Sequence, residues 1–449
     1  MTELEKELAN IVDDSHIHPQ TPMGAPIDEY GENEWDVDGL KPQAIVMPAN
    51  VEELSAVLRL ANERRWAVGV AGCGSRLAPA NIPERLDLII SMLRLHRIIE
   101  YEPADLTASV EAGCRLEAFN HRAAAQRQWL PFDPPNADHA TLGGLAASDD
   151  TGPLRHAFGQ PRDYVIGIEV VQADGTVIKA GGRVVKNVTG YDLNKLFVGS
   201  FGTLGVITKI NFKLRPRPEA EATAIFLSDD QVTLFDAART IIASELHPSA
   251  LVVANERVSR RLDLGLANHA LLVRLHETGP AIKYQLDRLK VIAHRERMEL
   301  VEKTEDESRA LWPRLGNFHE DCEKYLYLRA SVPPADVRET FARFEAQLSD
   351  ILTEAFVFAQ VGTGVIKAEG AFATHDSAAT SQVVNTLTVL QEDCRRVGGS
   401  LLIERAPVEI KQQMDVWGEV GPTIELMRAI KRQFDPNRIL NPGRFVAGI

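Results

Sequence analysis

In VGSFGTLGVIT, residues 198–208, glycine stands at 199, 202 and 205 and β-branched residues follow at once. Glycine placed this densely leaves backbone that can take positive φ, or that a neighbour approaches too closely to allow a Cβ. Two more stretches share the character: AGCGSRLAPANIP (71–83), with Gly72 and Gly74, and PFDPPNADHATLGGLAAS (131–148), with Gly143 and Gly144 in a run of small residues. Such segments can hold a flat or phosphorylated ligand by main-chain N–H groups. In the 71–83 loop the glycines and prolines exclude an immediate long helix, so a phosphate there sits in an irregular nest, with Ser75 and Arg76 as further donors. The 198–208 stretch is not the dinucleotide fingerprint, whose glycines follow a strand and open a helix; here the loop precedes the strand. Taken singly, each stretch also reads as a turn.

The surrounding pattern supplies elements to position them. Val206, Ile210, Phe212 and Leu214 alternate with Lys209, Asn211 and Lys213, which predicts a half-buried strand leaving the glycines. Asn50 and Glu53 have capping-box spacing ahead of Val51, Leu54, Val57, Leu58 and Ala61, a helical stripe, and a strand at 67–70 then runs into the first loop. Strands are predicted at 86–92 and 107–112, a helix at 116–128, and a hairpin from 164–171 and 177–179 around Asp174-Gly175. Beyond Pro216 and Pro218, apolar strands at 224–227, 251–254, 271–275, 325–332 and 355–361 interleave with helix-like segments, the mark of an α+β domain with an antiparallel sheet. Residues 423–434 read as a capped amphipathic helix stopped by Asp435-Pro436, and NRILNPGRF makes a final turn. Residues 1–40 are polar, helical in pattern only before Val12, and predicted to be a loosely held arm; His16 and His18 have no third ligand near them in sequence, so they read as a solvated pair.

A chain of 449 residues exceeds what one core usually supports, so two or three domains are expected. The formal charge of −14, with no basic stripe, excludes a nucleic-acid binder. Cys73, Cys114, Cys322 and Cys394 lie far apart without a C-x-x-C, so this chain supplies no iron–sulfur cluster or zinc ribbon, and a reducing compartment is expected. No apolar run reaches the roughly 18 residues of a membrane span, and the N-terminus lacks a signal pattern, so the expected location is cytoplasmic.

Three long ordered segments, 131–163 (PFDPPNADHATLGGLAASDDTGPLRHAFGQPRD), 181–208 (GGRVVKNVTGYDLNKLFVGSFGTLGVIT) and 434–444 (FDPNRILNPGR), resemble the FAD-linked oxidases with a PCMH (vanillyl-alcohol-oxidase) type flavin domain. The resemblance runs from about residue 38 to 449 and within the family is strongest to the FAD-binding subunit of glycolate dehydrogenase complexes. It implies an α+β fold: an arm (1–37), a PCMH-type FAD-binding domain of two α+β subdomains (38–217), an α/β cap domain with an antiparallel sheet (218–420), and a C-terminal helix and tail (421–449) returning to the flavin. By the same implication Gly72, Cys73, Gly74, Ser75 and Arg76 form the pyrophosphate loop. Pro135, Asn136, Thr141, Gly143, Gly144, Ser148, Gly152 and Arg162 belong to a second cradle, Gly202, Gly205, Val206 and Ile207 back the cofactor, and Asn441 returns toward the ring. A buried small cysteine is the expected role of Cys73, without covalent flavin attachment. Lys186 and Tyr191 are polar groups that could reach the ring or simply cover the loop.

The chain departs from catalytic relatives acting on D-2-hydroxy acids, which carry an H-x-G-D-G-N-x-H segment and a later E-H-G. Here the corresponding stretches read FAQVGTGVIKAEG (358–370) and LLIERAPVEIK (401–411). Gly362 and Gly364 survive, the imidazoles do not, and Glu404 alone remains as a ligand type; one carboxylate makes no metal site, so no metal is expected and no catalytic base is identified. The resemblance therefore implies an FAD-binding subunit of a glycolate (2-hydroxy acid) dehydrogenase complex, with a catalytic flavoprotein subunit and an iron–sulfur subunit as partners. A stand-alone FAD dehydrogenase or oxidase of another small substrate, and a structural subunit whose FAD never turns over, are the alternatives.

Overall fold

Leu4, Leu8 and Val12 recur every four residues, so a helix there shows one apolar face. In the computed structural model, which describes residues 2–19, 35–75, 77, 79–183, 191–265, 269–315, 318, 325–372 and 377–449, the helix Glu3–Leu8 buries that face in the first core. Ile17–Pro19 (β1) then pairs with Ala44–Val46 (β2). The expected loose arm is thus corrected for residues 2–19: three buried aliphatics and a strand edge fasten it.

β2, Val68–Ala71 (β3) and Leu88–Ser91 (β4) complete a small mixed sheet in the order β1-β2-β4-β3, with β4 parallel to both β2 and β3. The helix Val51–Arg64 makes the β2-to-β3 crossover; Asn50 accepts the Glu53 N–H at 2.8 Å and Glu53 reaches back to the Ala49 N–H at 2.8 Å. A second, antiparallel sheet contains Ile98–Glu102 (β5), Thr107–Glu111 (β6), Val165–Val171 (β8), Val177–Gly181 (β9) and Val206–Lys213 (β10), ordered β5-β6-β10-β8-β9. The hairpin forms where expected. The predicted helix 116–128 stops at Ala124, because Gln128–Trp129 (β7) pairs with Arg215–Pro216 (β11).

The third sheet has eight strands: Ala220–Ser228 (β12), Ala250–Ala254 (β13), His269–Glu277 (β14), Glu299–Thr304 (β15), Tyr325–Ser331 (β16), Phe356–Gln360 (β17), Val365–Ala371 (β18) and Ser400–Arg405 (β19). Every pairing in it is antiparallel, in the order β15-β12-β14-β13-β17-β18-β16-β19. One face packs Phe226, Val253 and Val357 against Leu234, Leu289, Phe341 and Leu387 of its covering helices. On the other face the aliphatic and aromatic residues of β12, β13, β14 and β17 give way to charged ones on β16, β18 and β19.

The C-terminal helix Ile424–Phe434 carries the chain back to the first sheet, although Thr423 makes no side-chain cap bond to it. Ile439 accepts the Val68 N–H at 2.7 Å and Asn441 donates its N–H to Val68 at 2.8 Å, so the tail runs parallel to β3. The fastening is one buried ammonium. Lys431 Nζ donates to Asp435 Oδ2 at 2.7 Å, to the Thr203 carbonyl at 2.8 Å and to the Leu440 carbonyl at 2.9 Å. Burial pulls the amine below its ordinary range and the Asp435 carboxylate opposes that. Removing one member of a buried pair strands the other, at about 3–5 kcal/mol. Lys431→Met is therefore expected to lower unfolding stability by about that amount in urea titrations; a loss under about 1 kcal/mol would show that the pair does not hold the tail.

Candidate cofactor site

The three glycine-rich segments meet. β3 delivers the 72–75 loop, the helix Leu142–Ser148 brings Gly143, Gly144 and Ser148, and the loop before β10 brings Gly202 and Gly205, all around one cavity with about 940 Å³ of empty space including its mouth. Twelve expected residues line it: Gly72, Cys73, Gly74, Ser75, Thr141, Gly143, Gly144, Ser148, Gly202, Gly205, Ile207 and Asn441. Ser75 Oγ donates to the His139 carbonyl at 3.3 Å, joining the first two loops. A Cβ on Gly72 would stand 2.2 Å from Thr141 Oγ1, so these loops approach only because residue 72 has no side chain. Gly202 has φ +68°, and a Cβ there would meet Asn441 Nδ2 at 3.0 Å.

Five expected residues do not line the cavity. Asn136 is exposed, Pro135 lies beside it, and Val206 is buried in the core beneath the first sheet. Gly152 serves a different contact, its N–H donating to Asp133 at 2.9 Å. Arg162 donates its guanidinium to the Lys195 carbonyl at 3.0 Å. Arg76 and Lys186 fall outside the described residues, and Tyr191 stands 94% exposed. Cys73 is buried, and burial raises its thiol pKa.

Sequence reasoning missed Phe201, Met92 and Arg444 in the wall. Phe201 stacks edge-on with Trp417 at 5.0 Å, and Trp417 with Phe445 at 4.9 Å, a cluster joining the glycine loop to the cap and the tail. Arg444, 6% exposed, donates Nη2 to the carbonyls of Leu77 and Pro79. Two buried polar atoms of the wall have no partner among the described residues, Asn441 Oδ1 and Arg444 Nε. A mostly apolar slot with bare backbone at one side and waiting donor and acceptor atoms at another fits a flat, polar-edged dinucleotide such as FAD.

Beyond Ser148, Asp150 and Arg155 face the cap through Arg329. There several charged side chains of the large sheet pair with one another, although Glu404 Oε2 has no hydrogen-bond partner among the described residues. Arg329 Nε lies 2.7 Å from Glu404 Oε1, Lys367 Nζ donates to Tyr327 Oη at 3.1 Å, and Tyr325 donates to Glu369. The His156 ring occupies the space that a side chain at 362 would need. Among the described residues no three His, Cys, Asp or Glu side chains gather as metal ligands.

Asp133 anchors the second cradle, accepting N–H groups of Gly152 and of Leu154 at 3.0 Å, with Arg274 of β14 4.0 Å away. Burial pushes its carboxyl up to about 7, against the pull of Arg274 and the amides. Arg274 also binds Glu221 at 2.9 Å; burial works against that ionisation, but His276, Arg274 and Ser308 hold it at about 2.

A PCMH-like flavin cleft is the class that this geometry defines. The FAD binding domain family matches residues 42–181, and the FAD linked oxidases C-terminal domain family matches 217–445. The chain belongs to the FAD-linked oxidases and is an FAD-dependent oxidoreductase. It is 28% identical to glycolate oxidase subunit GlcD of Bacillus subtilis (strain 168) over 426 residues, 90% of this chain and 89% of that one. To glycolate oxidase subunit GlcE of Escherichia coli (strain K12) it is 41% identical over 130 residues, 28% of this chain and 37% of that one. Substrate-bound p-cresol methylhydroxylase shares the fold, with a TM-score of 0.75 at 17% identity over 98% of this chain and 96% of that one. No helix among the described residues is long and apolar enough to cross a membrane.

Gly202→Ala is expected to cost about 1–2 kcal/mol for the left-handed backbone and to displace Asn441, weakening FAD at least tenfold in fluorescence titrations of the apoprotein; unchanged affinity would remove this loop from the cofactor wall. A separate expectation concerns acid. Between about pH 4 and 7 folded Asp133 keeps a proton that the unfolded chain releases, so this group makes stability fall as pH rises through that window and level off above it. Asp133→Asn should flatten the slope by up to about 1.4 kcal/mol per pH unit, read by urea unfolding from pH 4 to 8; parallel profiles for both proteins would refute it.

Proposed function

We propose that the chain is the FAD-carrying subunit of a glycolate (2-hydroxy acid) dehydrogenase complex, passing electrons from its flavin to an iron–sulfur partner beside a catalytic flavoprotein subunit. FAD supplies a two-electron acceptor. The main-chain N–H groups of the 72–75 loop would hold its phosphates, Thr141, Gly143, Gly144 and Ser148 would form the second cradle, and Gly202, Gly205 and Ile207 would back it, with Asn441 at its polar edge. Val206 supplies its strand's main chain. Pro135, Asn136, Gly152 and Arg162 shape the cradle from behind.

The single observation behind the electron-passing role is that the cap-layer cations Arg329 and Lys367 are already engaged, with Glu404 and Tyr327. Oxidising a hydroxy acid needs a free cation for the carboxylate and a free base for the hydroxyl proton. Arg329 and Glu404 are engaged with each other, as are Lys367 and Tyr327, and His156 packs against Gly362. No pair of closely spaced cysteines is available for a cluster, so the next carrier belongs to another chain. The reading places the protein in the cytoplasm, at the inner membrane face where its partners hold it there.

Likeness to GlcD along nearly the whole chain favours a second reading, direct oxidation of a 2-hydroxy acid by this chain alone. Anaerobic addition of glycolate or D-lactate to the purified holoprotein separates the two. The flavin absorbance is expected to persist for minutes with the isolated chain and to bleach when the chain is assembled with its native partners. Bleaching of the isolated chain within seconds would establish the second reading.

A further inference from the structure

At one place in the seam between the lobes, two carboxylates face one guanidinium. Arg274 of β14 lies 2.9 Å from Glu221 Oε1 on its own sheet and 4.0 Å from Asp133 Oδ2 across the boundary. Glu221 also accepts from Ser308 Oγ at 2.8 Å and stands 3.1 Å from His276 Nε2, so it is satisfied within the cap. Asp133, its side chain 20% exposed, accepts the amides of Gly152 at 2.9 Å and Leu154 at 3.0 Å and the Thr151 hydroxyl at 3.4 Å, beside a guanidinium already taken by Glu221. Aromatic rings close the place: Trp129 is 5.7 Å and Phe158 6.2 Å from the His276 ring, and Arg274 lies over Trp312 at 5.1 Å. Burial, with Arg274 and Arg309, holds His276 below its ordinary pKa against the pull of Glu221, so near neutral pH it adds no second cation. Two carboxylates sharing one cation in a poorly hydrated place do not ionise equally; the nearer one keeps the charge.

We propose that Asp133 is a proton-operated latch between the cap and the flavin lobe, protonated while the seam is closed and ionised when the segment 149–154 lifts away and water reaches it. The carboxyl pushed up to about 7 agrees with the geometry and fixes the sign: opening releases a proton, so it is suppressed in acid, eased as pH rises toward 7 and indifferent to pH well above. Asp149 is the other carboxyl on the segment; it accepts the Arg162 N–H at 2.8 Å, is acted on by Arg155, Arg162 and Asp163, and is pushed up to about 6 by burial. The helix Leu142–Ser148, whose Gly143, Gly144 and Ser148 line the cofactor cavity, runs straight into this segment, so the latch reaches the cofactor wall. That last step rests on the FAD reading; the latch itself does not.

Hydrogen–deuterium exchange of the whole chain tests this, read by mass spectrometry on peptides covering 149–158 and corrected for the intrinsic pH dependence of exchange. Opening at Gly152 and Leu154 is expected to rise about tenfold between pH 6 and 8 and to level off above, as a carboxyl near 7 requires. Asp133→Asn keeps an oxygen that accepts both amides but does not titrate, and is expected to hold the rise under about threefold, Asp149 being the remaining contributor. Arg274→Met removes the cation that opposes the proton, so the rise is expected to continue beyond pH 8. A rise of the same size in wild type and Asp133→Asn, or no rise in wild type, overturns the latch; should the methionine variant not fold, the asparagine variant decides alone. FAD release from the holoprotein is followed over the same range and is expected to quicken at least about fivefold in wild type and under about twofold in Asp133→Asn. A flat release profile confines the latch to the seam and overturns its reach to the cofactor, whereas protein that retains no flavin at any pH overturns the FAD reading and leaves the exchange measurement to decide the latch.

Discussion

A lysine that is almost completely buried ties together the walls of the cofactor slot. Lys431 comes from the last helix, yet its three bonds reach the glycine loop at Thr203, the turn at Asp435 and the returning backbone at Leu440. Asp435 in turn accepts the N–H groups of Ile439 and Leu440, so charge and main-chain hydrogen bonding are satisfied together inside one small volume. Such a pair adds little net stability relative to a packed apolar cluster, but losing one member strands the other. Its bonds to Thr203 and Leu440 tie together the segments that carry Gly202 and Asn441, drawn from distant parts of the chain.

The cap is joined to the flavin domain on similar terms. Arg274 stands between Glu221 on its own sheet and Asp133 under the second cradle, while Lys411 reaches Asp38 at 2.7 Å across the same boundary. Aromatic rings fill what lies between, Trp129 and Phe158 against His276 and Phe201 against Trp417. The two lobes thus meet through buried charge with few degrees of freedom. Arg329 of the cap sheet also senses the charge of Asp150 on the flavin domain.

The parts legible in the sequence were those where the backbone itself is constrained. Bare main chain and close approach demand glycine whatever the neighbours are, so Gly72, Gly143, Gly202 and Gly205 marked places for a turn or a ligand, and the family resemblance joined them into one site. Strand alternation exposed β10 and the 165–181 hairpin for the same local reason. Charged residues that are buried by distant partners left no such mark. Lys367 and Glu369 on β18 alternate with apolar residues like any solvated strand face, and β15 reads ELVEKT, so both strands escaped notice. Arg444 looked like the end of a turn, and its role in the wall depends on Leu77, Pro79 and Trp417, more than 25 residues or several hundred residues away in sequence. The helical pattern before Val12 was legible, but its docking was not, because the residues that bury Leu4, Leu8 and Val12 come from far along the chain.

The parallel pairing of Ile439 and Asn441 with β3 has a consequence for how the protein is made. During synthesis the amino-terminal sheets emerge first and can fold as they appear, but the strand edge at Val68 stays open until residues 439–441 have left the ribosome. Loading of the nucleotide is therefore a late event in the life of the polypeptide, and a nascent chain carries an apolar trench and a bare edge that folding helpers must shield until translation has passed that point.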